Sequence, residues 1–257
     1  MKNKSKNELA VCGFEAVKAL AKKNPEKIRR FYYTEERMNS FGDLCRFLAK
    51  HRVPYNKVKD EKELEKLCGS VHHQGVVAMI EQPEILPLDS DITDRWVREK
   101  DSALLLDRVG NANNLGAIVR SAAFFGFKNI IIPLDEAQSS VTTSSYRVAQ
   151  GGMEYVNVYS IKSISKLLMA LKGKMLRLGT DVNASVPVEK IRDLRKGKPV
   201  IIVLGNEEKG ISKEVKRNCD ELIIIPFAGM GSDAEGPKVD SLNVAQAASV
   251  IMYELKK

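Results

Sequence analysis

Short apolar segments dominate the chain from residue 102 onward, and helical patterns separate them. Apolar residues recur every three or four positions in the stretches between, which predicts helices. Strands that are apolar on both faces belong to sheets covered on both sides, so we predict an α/β domain with a mostly parallel sheet. The predicted strands lie at 103–107, 129–133, 155–159, 175–181, 200–204 and 222–226, and the predicted helices at 115–125, 142–150, 162–172, 212–218 and 242–256.

The first part of the chain alternates shorter helical and strand patterns. Helices are predicted at 9–22, 41–51 and 61–68, and strands at 28–33, 55–58 and 75–81. This alternation is typical of a small α+β unit in which helices pack on a sheet. Pro83, Pro87 and the polar stretch that follows predict a linker, because such a segment buries little apolar area. We therefore expect one domain at 1–82, a linker at 83–98 and a second domain at 99–257.

Composition and charge narrow the classes of function. Hydrophobic residues make up 44% and charged residues 29% of the 257 residues, which is typical of a globular protein. The apolar runs are far shorter than the roughly 20 residues of a membrane span, and no apolar segment follows the charged first residues, so we expect a cytoplasmic protein without a membrane contact. The net charge of +8 favours a polyanionic partner such as RNA or DNA.

Cysteine and histidine give no sign of a metal site. The four cysteines, Cys12, Cys45, Cys68 and Cys219, lack the spacing of metal ligands or of a redox motif. We expect reduced, structural thiols. No histidine joins a nearby cysteine pair, so no metal is predicted.

In an α/β sheet, ligands bind beyond the carboxyl ends of the strands, so the loops there are the candidate sites. The first such loop runs from Asp107 to Arg120 and opens a helix. Asn114 is a suitable N-cap for a helix that begins at Leu115. Arg120 lies further along this helix, and its guanidinium would reach either solvent or a phosphate.

The second loop, 205–212, resembles a phosphate-binding loop only superficially. Gly205 and Gly210 have the right spacing, but Ile211 stands where such a loop needs a lysine. Gly205 instead allows the backbone to approach a ligand closely, because it has no Cβ. Glu207 would accept hydrogen bonds either from a ligand or from the next helix.

The third loop, 225–245, ends in the C-terminal helix. Gly229 and Gly231 suggest a nicotinamide-dinucleotide loop, but Gly236 follows at the wrong spacing and the loop comes late in the sheet. Ser241 and Asn243 stand at the start of a helix, where capping is their simplest role.

Taken together, these loops resemble the three motifs of the SpoU/TrmH RNA 2'-O-ribose methyltransferases of the SPOUT superfamily. The matching stretches, which also agree in order and separation, are NLGAIVRSA at 114–122, LGNEEKGI at 204–211, and IPF at 225–227 with SLNVA at 241–245. The resemblance covers about 103–256. Residues 11–82 resemble the substrate-binding domain of that family, which is similar to small RNA-binding ribosomal proteins, and HHQGVVA at 72–78 is its most recognisable part.

The resemblance implies a C-terminal trefoil knot, S-adenosylmethionine as cofactor, and a homodimer formed through the knotted domain. It also implies transfer of a methyl group to a ribose 2'-hydroxyl of ribosomal or transfer RNA. The cofactor-binding residues would be Thr180, beside Gly179, with Gly205, Ile225 and Leu242. The catalytic residues would be Asn114, Arg120, Glu207, Ser241 and Asn243.

The chain departs from the family pattern in two places. Asn111 and Ala112 replace the usual Asp-Pro before the first motif, and the loop at 230–239 is longer than usual. The longer loop is where we expect this protein to differ most from its relatives. The alternative function is a non-catalytic RNA-binding assembly factor on the same scaffold. No feature of the sequence identifies the target RNA or nucleotide, because RNA is recognised largely through unpaired bases and shape.

Overall fold

Two units, each with its own sheet, make up the part of the chain that the computed structural model describes: residues 7–135, 137–227, 239 and 241–257. The first unit contains Met1–Glu84 and Val141–Tyr155, and the second contains Ile85–Ser140 and Val156–Lys257.

The strands and α-helices alternate along the described residues. The strands are β1 (Glu8–Cys12), β2 (Ile28–Tyr33), β3 (Tyr55–Lys57), β4 (Val76–Glu81), β5 (Leu86–Pro87), β6 (Ala103–Asp107), β7 (Asn129–Pro133), β8 (Asn157–Ile161), β9 (Leu176–Thr180), β10 (Val186–Pro187), β11 (Val200–Gly205) and β12 (Glu221–Ile224). The α-helices are α1 (Phe14–Lys23), α2 (Gly42–Lys50), α3 (Glu61–Cys68), α4 (Ser90–Glu99), α5 (Ala112–Phe125), α6 (Thr143–Ala149), α7 (Ile164–Ala170), α8 (Ile191–Arg195), α9 (Lys213–Arg217) and α10 (Val244–Lys256).

The first unit is built on a four-stranded sheet in the order β1-β4-β2-β3. Strand β4 is antiparallel to both of its neighbours, and β2 is parallel to β3. The helix predicted from residue 9 is wrong at its start, because residues 8–12 form β1 and the helix begins only at Phe14. Gly13, with φ of +97°, separates the two elements. Pairing with β4 buries this stretch on both faces, and a local helical pattern does not reveal a partner so far along the chain.

Residues 141–155 belong to the first unit, although their pattern placed them in the α/β domain. Helix α6 packs against β1, and Tyr146 and Ala149 are buried. The carboxylate of Glu154 lies buried nearby, where it accepts a hydrogen bond from Asn24. An apolar helix face can cover either sheet, so the periodicity predicts the helix but not its partner.

The second unit contains an eight-stranded sheet in the order β10-β12-β9-β11-β6-β7-β8-β5. All of its strand pairs are parallel, which confirms the predicted α/β class with a mostly parallel sheet. Leu105, Ile131 and Ile201 lie in its core, and α10 packs against α5. No helix among the described residues is both long and apolar enough to cross a membrane.

The predicted linker at 83–98 carries regular structure in the second unit. Strand β5 pairs with β8, and α4 begins after Asp89, whose side chain accepts a hydrogen bond from the Ile92 N–H. Trp96 on this helix is 1% exposed and belongs to the core of the unit. The segment is polar on average, but one buried aromatic residue and a good N-cap are enough to fix a short helix.

Candidate active site

A cavity of about 600 Å³ lies at the carboxyl ends of β9, β11 and β12 in the second unit. Thr180 comes from the end of β9, Gly205 from the end of β11, and Ile225 directly follows β12. Leu242, just before α10, completes the wall. The structure therefore brings together all four residues predicted to bind the cofactor.

Gly205 stands where the chain turns back on itself. A Cβ at this position would lie 2.4 Å from both the carbonyl carbon of Gly210 and the nitrogen of Ile211, so no other residue fits without moving backbone. The turn is closed by the Gly210 N–H, which donates to the Asn206 carbonyl at 2.8 Å. The backbone of this loop consequently forms part of the cavity wall.

Asp107 and Arg108 hold this loop against the end of β6, a function that the sequence did not reveal. Asp107 is 4% exposed, and its carboxylate accepts a hydrogen bond from the Ser212 N–H at 3.2 Å. The Arg108 guanidinium donates to Asp107 at 2.9 Å and to the Gly210 carbonyl at 3.2 Å. The Asp107 carboxylate also raises the pKa of Arg108. The sequence feature that could have indicated this role is an aspartate at the end of a buried strand.

The backbone conformation of Arg108 also supports its role in holding the loop. Its φ of +59° lies in the left-handed region, which side chains other than glycine adopt only at a cost. The Asn206 side chain donates to the Arg108 carbonyl at 3.2 Å, so both the backbone and the side chain of Arg108 are fixed to the loop.

An ion pair between Asp181 and Lys216 adds charge to the cavity lining. Burial is the largest single effect and would raise the pKa of Asp181, but the hydrogen bonds from the Lys216 ammonium and the Asn183 N–H and the charge of Lys216 together outweigh it, so this pKa is lowered. Asp181 therefore stays ionised at neutral pH, and the pair is internally neutral. Sequence patterns gave no sign of it, since Asp181 follows β9 and Lys216 lies on α9.

Three of the predicted catalytic residues are joined by hydrogen bonds. The Asn114 side-chain amide donates to the Glu207 carboxylate, and the Asn243 amide donates to the Asn114 side-chain oxygen at 3.2 Å. The N-cap of α5 is Asn111 instead of Asn114, which leaves Asn114 free for these contacts. Asn243 does cap α10, because its oxygen accepts from the Ala245 N–H at 2.9 Å. Each of the three residues comes from a different predicted motif.

The other two predicted catalytic residues lie apart from this network. Ser241 is exposed and lines the cavity. Arg120 is exposed on α5 and does not line the cavity, and its guanidinium makes no hydrogen bond or ion pair with the residues that the structure describes. Most of the longer loop, 230–238, lies outside the described residues, while Val239 lines the cavity.

The cavity combines apolar walls with polar groups at its mouth. Leu204, Ile223 and Ile251 supply apolar surface, and Asn206 and Glu207 supply acceptors and donors. Its volume lies within the roughly 300–1,000 Å³ typical of small-molecule sites. No group of three or more metal-ligating side chains occurs within the described ranges. Such a site suits an organic ligand that has both a flat apolar part and polar substituents.

Models of two known protein families match the chain, one over most of each unit. The model of the SpoU rRNA methylase family matches residues 101–253, and the model described as RNA 2'-O ribose methyltransferase substrate binding matches residues 10–86.

The chain is also similar to individual proteins. It is 30% identical to the 23S rRNA (guanosine-2'-O-)-methyltransferase RlmB of Acinetobacter baylyi, over 94% of each chain. It is 34% identical to an uncharacterized tRNA/rRNA methyltransferase of Haemophilus influenzae, over 67% of this chain and 48% of that protein. The chain thus spans about half to three fifths of the length of several curated relatives, at 48% and 60%.

Among solved structures, the chain resembles the SpoU methyltransferase AviRb from Streptomyces viridochromogenes in complex with the cofactor AdoMet. The TM-score is 0.72 and the sequence identity 25%, over 98% of this chain and 90% of that one.

Proposed function

Because the chain belongs to the SpoU rRNA methylase family, we propose that it transfers the methyl group of S-adenosylmethionine to a ribose 2'-hydroxyl of ribosomal or transfer RNA. The observation that carries this proposal is the network of Asn114, Glu207 and Asn243 beside the cavity. The similarity to RlmB, which is named a guanosine-2'-O-methyltransferase, supports the reaction. The similarity to AviRb, solved with AdoMet, supports the cofactor.

The cavity fits S-adenosylmethionine in size and chemistry. Gly205 lets the backbone of residues 210 and 211 approach closely and so shapes the cavity wall, and Leu242 and Ile225 offer apolar surface to a flat ring. In this proposal Thr180, Gly205, Ile225 and Leu242 hold the cofactor. When bound, S-adenosylmethionine supplies an activated methyl group.

The protein itself must align the ribose hydroxyl and provide for the removal of one proton, because this hydroxyl is a poor nucleophile at neutral pH. The Asn114 amide carries two N–H groups, of which one is bound to Glu207. Its oxygen is occupied by Asn243, so the orientation of the amide is fixed. The second N–H is then available to orient the hydroxyl, and Ser241 at the cavity wall is positioned to contact the substrate.

Arg120 is proposed to bind the phosphate next to the target ribose. Its guanidinium has no partner among the described residues, which suits a group that waits for a substrate anion. The proton would pass to this phosphate or to a transiently neutral guanidinium. A neutral arginine is costly, because the guanidinium holds its proton very strongly, so arginine and phosphate would act as one unit.

A homodimer formed through the second unit and a C-terminal trefoil knot complete the proposal. Phe124 on α5 is 82% exposed and Tyr253 on α10 is 52% exposed, and these two helices pack against each other. Large apolar side chains on adjacent helices are typical of a surface that another chain covers. The knot is proposed because the chain belongs to the SpoU rRNA methylase family.

The first unit is proposed to bind RNA, and the net charge of +8 would strengthen that binding. The similarity to bacterial 23S rRNA methyltransferases supports a proposed action in the cytoplasm.

The decisive experiment combines cofactor binding with product analysis. Titration calorimetry should show binding of S-adenosylmethionine, and incubation of RNA with radiolabelled cofactor should yield 2'-O-methylated nucleosides. Binding of both ligands without methyl transfer would instead support the non-catalytic assembly factor. Mapping 2'-O-methylated positions in cells with and without the protein would identify the target.

A further inference from the structure

A second cavity, of about 280 Å³, lies within the first unit and shares no lining residue with the cavity at the ends of β9, β11 and β12. One wall is formed by Thr34 and Arg37, which follow β2, and the other by residues 71–75, which precede β4. It contains none of the three methyltransferase motifs, but residues 72–75 belong to the stretch by which the first unit resembles the family's substrate-binding domain, and its function is argued from its own groups.

The backbone of this cavity is fixed without a ligand. The Thr34 N–H donates to the Gly75 carbonyl at 2.9 Å, which joins the two walls. Gly75 has φ of +79°, and a Cβ there would lie 2.7 Å from the Thr34 hydroxyl, so only glycine fits. Gln74 also has a positive φ, of 53°. Because this cavity is already ordered, binding of a ligand costs little free energy for ordering the protein.

Several hydrogen-bond donors of the cavity have no partner among the residues that the structure describes. His73 is 2% exposed, and its Nδ1 accepts from the Gly75 N–H at 3.1 Å, so the proton of the neutral ring is on Nε2. No hydrogen bond to this Nε2 occurs among the described residues. The Gln74 side-chain oxygen accepts from the Phe14 N–H at 2.8 Å, which fixes the amide and leaves its N–H groups available.

Among the described residues, the Arg37 guanidinium donates a hydrogen bond through its Nε alone. Its Nε donates to the Gln74 carbonyl at 3.0 Å, and its guanidinium lies 5.0 Å from the centre of the Phe14 ring. Its terminal nitrogens form no ion pair within the described part of the chain, although Glu36 and Glu61 also line the cavity. A cation that is oriented but not neutralised is suited to a phosphate.

Besides these hydrogen-bond donors, the cavity lining contains two carboxylates that can accept hydrogen bonds. A bare phosphate would be repelled by the carboxylates of Glu36 and Glu61, whereas a nucleotide offers both a phosphate for the donors and base N–H or ribose hydroxyl groups for the acceptors. We therefore propose that this cavity binds one nucleotide of the RNA substrate, with Arg37, His73 and Gln74 at the phosphate side. The inference rests on the proposed function, because it takes RNA as the substrate.

The test measures binding of a fluorescein-labelled single-stranded RNA of mixed sequence to the full chain by fluorescence anisotropy at several salt concentrations. Arg37→Ala should weaken binding about tenfold and lower the slope of log Kd against log salt by about one, as expected for the loss of one phosphate contact. Arg46→Ala is the matched control: it removes an equal charge from the same unit, is exposed, pairs with Asp43 and does not line the cavity. It should change Kd less than about twofold.

A competition experiment separates a nucleotide site from an anion site. Guanosine monophosphate should displace RNA from the wild type, and inorganic phosphate at equal ionic strength should not. Equal displacement by phosphate, or equal effects of Arg37→Ala and Arg46→Ala, would overturn the proposal.

Folding and function are controlled separately. If circular dichroism shows that Arg37→Ala is misfolded, His72→Ala decides, because His72 is exposed and lines the same cavity. Unchanged RNA binding by His72→Ala then rejects the site. S-adenosylmethionine binding and methyl transfer by the wild type report on the proposed function alone, so normal transfer with unchanged RNA binding by the variants contradicts only the nucleotide site.

Discussion

Asn114 donates its side-chain N–H to the carboxylate of Glu207, although 93 positions separate the two residues in the chain. Asn243, another 36 positions on, donates to the oxygen of the same Asn114 amide at 3.2 Å. Both ends of the amide are therefore fixed before any substrate arrives. A preorganised polar group of this kind needs no rearrangement during a reaction, which is why such groups contribute strongly to catalysis.

Replacing Asn114 with alanine should slow methyl transfer and spare cofactor binding. The change removes an oriented donor and leaves Glu207 and Asn243 without their common partner, so we expect kcat to fall by about 100-fold. Affinity for S-adenosylmethionine, measured by calorimetry, should change less than about threefold, because Asn114 does not line the cavity. Asn157→Ala, at an exposed position of β8, is the control. A variant with normal kcat would show that the network has a structural role only.

Arg120→Ala should abolish turnover while S-adenosylmethionine still binds within a few fold of the wild type. Arg120 has no structural partner among the described residues, so its loss should not change the melting temperature. Single-turnover assays with labelled cofactor give the rate, and Arg98→Ala, at an exposed position of α4, controls for the loss of charge. Near-normal methylation by Arg120→Ala would exclude Arg120 from the reaction.

Gly205→Ala should weaken cofactor binding by more than about tenfold. The added Cβ would lie 2.4 Å from backbone atoms of Gly210 and Ile211, so the loop must move, and the loop forms the cavity wall. Calorimetric titration with S-adenosylmethionine measures the effect. Gly42→Ala is the matched control, because a Cβ there meets nothing within 4 Å and its φ of −56° suits alanine. Equal cofactor affinity of the two variants would be inconsistent with this geometry.

Glu154→Gln should stabilise the protein at neutral pH. Burial raises the pKa of Glu154 above its usual 4.5, although the bond from Asn24 and the charge of Lys27 oppose the shift. The unfolded carboxyl therefore ionises first as pH rises, so wild-type stability falls between pH 4.5 and the folded pKa. The stability of Glu154→Gln does not fall with pH in this way, because glutamine does not ionise.

Thermal unfolding across this pH range tests the linkage. The difference in melting temperature between Glu154→Gln and the wild type should be small near pH 4.5, grow as pH rises, and then become constant. Glu63→Gln removes an exposed carboxylate from the same unit and should show no such trend. A constant difference at every pH would mean that Glu154 is not destabilised by burial.

Truncation of the first unit should have a larger effect than the sequence suggested. The resemblance of residues 11–82 to a substrate-binding domain leads us to expect that removal of 1–82 weakens RNA binding more than cofactor binding. The structure adds that α6, at Thr143–Ala149, then loses β1, the strand on which it packs. We expect faster proteolysis at 141–155, detected by limited trypsin digestion and mass spectrometry, with S-adenosylmethionine affinity within about threefold. Protection of this segment equal to that in the full chain would contradict the assignment of α6 to the first unit.

The sequence determined the class of the larger sheet, because strands buried on both faces must be apolar along their length, as in 103–107 and 200–204. It also supplied the candidate site: Thr180, Gly205, Ile225 and Leu242 do line one cavity, and Asn114, Glu207 and Asn243 are bonded to one another. These residues follow strand ends, and the carboxyl ends of parallel strands share one edge of a sheet.

Only the tertiary structure decided which partner each element has. Residues 8–12 form a strand because β4 lies beside them, and α6 covers β1 instead of the larger sheet. The bonds from the Arg108 guanidinium to the Gly210 carbonyl and from the Phe14 N–H to the Gln74 side chain likewise join residues that lie far apart in the chain. Periodicity records whether a face is buried, whereas the identity of the surface that buries it depends on contacts between distant segments.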